Sequence, residues 1–158
     1  MSAVVVGEKV PEFTLAATGD QAISLSSLLG QGFVVLYFYP KDDTPGCTTE
    51  GKDFTEHFSR IEAAGARVLG ISRDSVKSHE KFKCKYGFPF ELLSDEDESL
   101  CTLFDVIKMK NMYGKQVRGI ERSTFIIDNQ GVLRREWRKV KVPGHVEEVI
   151  AVLEELSD

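Results

Sequence analysis

The sequence predicts an α/β fold in which a mixed central β-sheet is flanked by helices and preceded by an N-terminal β-hairpin. Three observations carry this expectation. The runs FVVLYFY (33–39) and ARVLGIS (66–72) lack polar alternation, the pattern of strands buried on both faces. Between them Phe54, Phe58 and Ile61 recur at helical spacing, which completes a βαβ unit. Further on, STFIID (123–128) and VLRREW (132–137) flank Asn129, Gln130 and Gly131, the signature of an antiparallel hairpin.

Taken in order, FTLAAT and AISL form the first hairpin, and 33–39 the first central strand. A helix is predicted over 45–64. Thr44 suits its N-cap, Pro45 its first position, where a missing N–H costs nothing, and Gly65 its C-terminal end. A second helix is predicted over 75–86, with Phe82 and Tyr86 one turn apart, stopped by Gly87 and Pro89 and followed by the strand FELLS. Ser94 or Asp95 caps a short helix reaching Phe104, and KMKNMYGK (108–115) reads as a loop. Val146, Val149, Ile150, Leu153 and Leu156 make the apolar stripe of a closing amphipathic helix. With no repeat or linker in view, residues 1–158 are expected to form a single domain.

Composition narrows the function. A 42% hydrophobic and 28% charged chain has the makeup of a soluble globular protein, and a net charge of −5 argues against a general nucleic-acid binder. The basic run RREWRKVKV reads as a solvated strand face. No apolar run approaches the roughly 18 to 20 residues of a membrane span, and MSAVVVGEKV lacks a basic leader, so no membrane contact and a cytoplasmic location are expected.

Three cysteines make a poor disulfide framework. They form no zinc-ligand spacing with His57, His79 and His145, position 50 is Glu where C-x-x-C needs Cys, and SDEDES lacks the glycine of a calcium loop. A phosphatase-type loop wants Arg at position 53, where Asp53 stands. Neither metal nor cofactor is expected.

Cys47 is different in kind. It follows Thr44, Pro45 and Gly46 into the first turn of a predicted helix, where unpaired N–H groups and the helix dipole favour a thiolate. Asp42 and Asp43 would oppose that anion, so both are expected to point to solvent.

Pro40, Thr44 and Cys47 reproduce the PxxxTxxC signature, and YPKDDTPGCTTE, VLGISRDS, LLSDED and GIERSTFIID extend the match along nearly the whole chain. The sequence resembles peroxiredoxins, in particular the bacterioferritin comigratory protein or Q-type branch. The resemblance implies a thioredoxin-like fold and reduction of hydrogen peroxide and alkyl hydroperoxides, with Cys47 as the attacking thiol. It further implies that Thr44 belongs to the active site, Pro40 shields the pocket, Arg122 is the catalytic arginine, and Glu50 holds that arginine. These residue types suit the chemistry: the site must stabilise first a thiolate and then the departing oxyanion, tasks that a guanidinium, a hydroxyl and first-turn amides can share.

The Cys47 sulfenic acid then needs a partner thiol. Many members of the branch place it five positions later, where this chain has Lys52. The resemblance to a subgroup with a distal resolving cysteine points to Cys84, and Lys81, Lys83 and Lys85 around it would favour a thiolate. In that subgroup the cysteine directly follows the phenylalanine; here Lys83 intervenes after Phe82, a rotation of about 100° around the helix. Bridging also requires Cα atoms within roughly 7 Å, so both helices would have to melt locally. Cys101, among Leu100, Leu103 and Phe104, reads as a structural thiol. The implied reductant is thioredoxin or glutaredoxin and the implied state a monomer. A one-cysteine peroxidase using external thiol, and a redox sensor relaying oxidation to a partner, stay open as alternatives.

Overall fold

In the computed structural model, which describes residues 4–157, a seven-stranded mixed sheet runs in the order β2-β1-β5-β4-β3-β8-β9. Its centre is the predicted βαβ unit. Strand β3 (Phe33–Phe38) pairs in parallel with β4 (Ala66–Ser72), and β4 in parallel with β5 (Glu91–Ser94). On one side β3 meets β8 (Ser123–Ile127) antiparallel, and β8 forms the expected hairpin with β9 (Leu133–Trp137). At the other edge β1 (Thr14–Ala17) and β2 (Gln21–Ser24) form the N-terminal hairpin, joined to the sheet through β1 and β5.

The unbroken apolar run of β3 is explained by the layers on either side. Val34, Leu36 and Phe38 enter one core with Leu69, Phe104 and Phe125, whereas Val35 and Tyr37 enter the other with Phe54, Ile61, Phe82 and Val149. Alternate side chains of a strand point to opposite faces, so a strand covered on both needs apolar residues throughout. Helices α2 (Pro45–Glu56), α3 (Phe58–Ala63), α4 (Val76–Tyr86) and α6 (His145–Leu156) contribute to the second core. The short helices α1 (Leu25–Leu28) and α5 (Ser99–Leu103) contribute to the first.

Four local expectations need correction. The helix predicted over 45–64 divides at His57, whose φ of −101° and ψ of 12° leave the helical region; its Nδ1 lies 3.0 Å from the Asp53 carbonyl, in competition with the regular backbone ladder. The predicted loop 108–115 is instead a second hairpin, β6 (Ile107–Met112) with β7 (Lys115–Ile120), turning on Tyr113 and Gly114, which both have positive φ as a tight two-residue turn requires. It forms a separate two-stranded sheet, and exposed Met109, Met112 and Val117 hide the apolar alternation that marks a strand.

Helix α5 begins only at Ser99, although the Asp95 carboxylate does accept from Leu100 N and Cys101 N, the capping role expected of it. Finally, Leu25 of AISL belongs to α1, a single turn whose N-cap Ser24 accepts from Ser27 N. Helix α4 follows its prediction closely, with Ser75 as N-cap and Gly87 as a left-handed terminator at φ 65°.

Candidate active site

Chain direction fixes the site. Strand β3 delivers the chain to Pro40, the loop 40–44 turns it, and Pro45 starts α2 with Cys47 at its third position. The sulfur therefore belongs to the first turn of a helix, the part whose amides have no partner within the helix. Cys47 is 2% exposed, packed in the same layer as Phe54 and Phe82. Arg122 arrives from the opposite neighbour, immediately before β8.

These two residues meet. Arg122 Nη2 donates to Cys47 Sγ at 3.4 Å, and Nη1 donates to Glu50 Oε1 at 2.6 Å. Glu50 lies one turn beyond Cys47 on α2, so one guanidinium spans both residues on the same helix face. Burial of Glu50 pushes its carboxyl up to about 7, with Arg122 opposing the rise. The Arg122 guanidinium is held above its ordinary range despite burial, through the charges of Glu50 and Cys47. Among the described residues Glu50 Oε2 and the hydroxyl of fully buried Tyr37 accept or donate no hydrogen bond.

Thr44 occupies the N-cap position as expected, but its hydroxyl donates to Lys41 O at 2.8 Å and makes no cap to the helix. Its oxygen keeps acceptor capacity at the mouth of the helix. Pro40 sits half-buried at the bend after β3. The structure thus brings Cys47, Arg122 and Glu50 into contact and sets Thr44 and Pro40 on the adjoining loop.

Cys84 is not part of that cluster. It is a free, exposed thiol on α4, whereas Cys47 and Cys101 are buried. Two of its flanking lysines are already matched, Lys83 by Glu91 at 3.1 Å and Lys85 by Asp43 at 2.8 Å. The expected uncompensated cationic surroundings are therefore largely balanced by carboxylates from outside α4. Cys101 fits its structural reading: it has no exposure, and burial followed by Asp95 drives its thiol far above the ordinary range.

The expectation for Asp42 and Asp43 holds for one residue only. Asp43 is exposed, but Asp42 is buried, accepting from the Tyr39 hydroxyl at 2.6 Å and from the Ser78 hydroxyl at 2.7 Å. Helix α4 closes over the loop and supplies the Ser78 donor, while Tyr39 donates from just past the end of β3. No signal in the local sequence announces this. Lys110 was missed as well. Its ammonium is lowered from its ordinary range by burial and then by Arg122, with the charge of Cys47 opposing, which puts it in the electrostatic reach of the site. Reading 108–115 as a loop concealed that placement.

The AhpC/TSA family model matches residues 6–136, a stretch that includes every residue of this cluster. The chain belongs to the AhpC/TSA family. Within it, peroxiredoxin Bcp of Xanthomonas campestris is 55% identical over 142 residues, covering 90% of this chain and 88% of that one. A solved structure of Xanthomonas campestris peroxiredoxin Q superposes with a TM-score of 0.90 at 50% identity, covering 99% of this chain and 100% of that one. A second, of the bacterioferritin comigratory protein from the same organism and concerned with its alkyl peroxide reduction activity, gives 0.87 at 53% identity over 92% of both chains. The AhpC/TSA chain described here is accordingly a thiol peroxidase of the Bcp and peroxiredoxin Q branch, with the thioredoxin-like architecture of that branch.

Proposed function

We propose that the protein reduces hydrogen peroxide and organic hydroperoxides through Cys47. The thiolate attacks one peroxide oxygen, the O–O bond breaks, and the other oxygen leaves as water or alcohol once protonated, with Cys47 becoming a sulfenic acid. The contact of Arg122 with Cys47 Sγ, fixed from behind by Glu50, is the observation that carries this reading. A guanidinium placed there favours negative charge on the sulfur before attack and on the departing oxygen afterwards. Thr44, with a free acceptor and first-turn amides beside it, orients the peroxide, and Pro40 limits water at the loop.

Resolution follows through Cys84: its thiol displaces the sulfenic oxygen as water and leaves a Cys47–Cys84 disulfide. Thioredoxin then reduces this bond, which suits a monomer in a reducing, cytoplasmic setting. Exposure of Cys84 supports attack by an incoming reductant. The same exposure, apart from buried Cys47, favours a second reading in which external thiol reduces the sulfenic acid directly. Peptide mapping of peroxide-treated protein without reductant separates them: a Cys47–Cys84 linked peptide is expected, and a lone oxidised Cys47 would establish the one-cysteine cycle.

A further inference from the structure

The loop ahead of Cys47 is fastened to α4 at two consecutive residues. Asp42 makes the buried attachment: Oδ1 accepts from Tyr39, and Oδ2 accepts from Ser78 and lies 2.8 Å from His79 Nδ1. His79 has no exposure, and its Nε2 lies 2.9 Å from the Leu93 carbonyl. A carbonyl oxygen only accepts, so Nε2 carries a proton, and Nδ1 faces the Asp42 carboxyl with the Tyr39 hydroxyl 3.4 Å away. Both ring nitrogens are thereby engaged, one with Leu93 and one with Asp42.

Around this pair, Asp42 N donates to Asp74 Oδ2, which also accepts from the Ser72 hydroxyl. Asp43, in the left-handed region at φ 56°, makes the surface attachment, accepting from Lys85 Nζ and from the Tyr86 hydroxyl at 2.7 Å. None of these contacts involves Cys47. Their common effect is mechanical, because α4 also carries Cys84.

We infer that His79 is a positioning residue of the peroxidase cycle, clamping the loop that shapes the Cys47 site to the helix that must deliver Cys84. With the clamp closed, Thr44 and the first turn of α2 are held for attack on peroxide. With it open, α4 is released so that Cys84 can reach the sulfenic acid. The pair takes no part in the balance of either step: peroxide oxygen becomes water or alcohol in the first, and the sulfenic oxygen leaves with the Cys84 proton as water in the second. This inference rests on Cys84 being the resolving thiol.

Single-turnover oxidation of the reduced protein, quenched and read by mass spectrometry, tests it. His79→Gln is expected to slow formation of the sulfenic acid and speed formation of the disulfide, each by about tenfold, the scale of one buried charged hydrogen bond. Combined with Asp42→Asn, its effect should be clearly less than additive, since both substitutions remove the His79–Asp42 contact. Should His79→Gln fail to fold, Ser78→Ala removes one hydroxyl donor to Asp42 and should give smaller changes of the same signs. Two rates that fall together, or that stay unchanged, would overturn the clamp.

If no disulfide forms even in the unsubstituted protein, the resolving role of Cys84 fails, and hydrogen exchange in the reduced state still judges the clamp. Faster exchange in loop 40–44 and α4 together supports it, and a change confined to α4 refutes it.

Discussion

Arg122 and Cys47 lie 75 positions apart in the chain, yet the guanidinium Nη2 stands 3.4 Å from the sulfur. The antiparallel pairing of β8 with β3 makes that possible: Phe38 faces Ser123, so the residue before β8 comes level with the loop that leaves β3. Replacing Arg122 by Met should slow oxidation of Cys47 by hydrogen peroxide about a hundredfold, the loss typical of removing one preorganised donor. Rapid-mixing kinetics on the reduced protein checks this. An unchanged rate constant would show that the contact is incidental.

Cys84→Ser separates the two half-reactions. Peroxide consumption coupled to thioredoxin should disappear, while the first oxidation of Cys47 keeps its rate. Retained coupled turnover would remove Cys84 from the cycle.

Glu50 makes stability depend on pH in an unusual direction. Its carboxyl is raised from 4.5 to about 7 on folding, so between those values the folded chain holds a proton that the unfolded chain has released. Stability from this group is full below about 4.5 and lost as pH rises through about 7. Relative to Glu50→Gln, the protein should lose up to about 3 kcal/mol over that window, an upper figure taken from the size of the shift. Urea unfolding of both proteins at several pH values measures the difference; parallel curves would refute the raised carboxyl.

Gly51→Ala sets helix propensity against packing. Alanine in a helix interior gains about 1 kcal/mol over glycine, but its Cβ would run into the Phe88 ring, and such overpacking costs about 1–3 kcal/mol. Phe88 is itself stacked 5.2 Å from Phe90 and edge-on to Phe82, so it has little room to yield. A lower melting temperature is expected by calorimetry.

The sequence carried the architecture because its signals are local: buried strands read as unbroken apolar runs, and Pro45 and Gly87 mark helix ends through their own backbone preferences. Cys47, Glu50 and Arg122 were reached through motif resemblance, and their side chains lie in mutual contact through the Arg122 guanidinium. What stayed hidden depends on distant chain. Asp42 looks like any loop aspartate until His79 and Ser78 cover it, and the lysines beside Cys84 look unopposed until Glu91 and Asp43 meet them. Strands β6 and β7 escaped notice because a hairpin outside the main sheet buries neither face consistently.

The zero exposure of Cys101 makes it a natural reporter of global opening. An alkylating reagent should mark Cys84 at once in the native reduced protein, whereas Cys101 can react only when the core around Leu100 and Phe104 parts. The delay before the Cys101 peptide gains mass, after Cys84 and Cys47 have reacted, would then time whole-molecule unfolding.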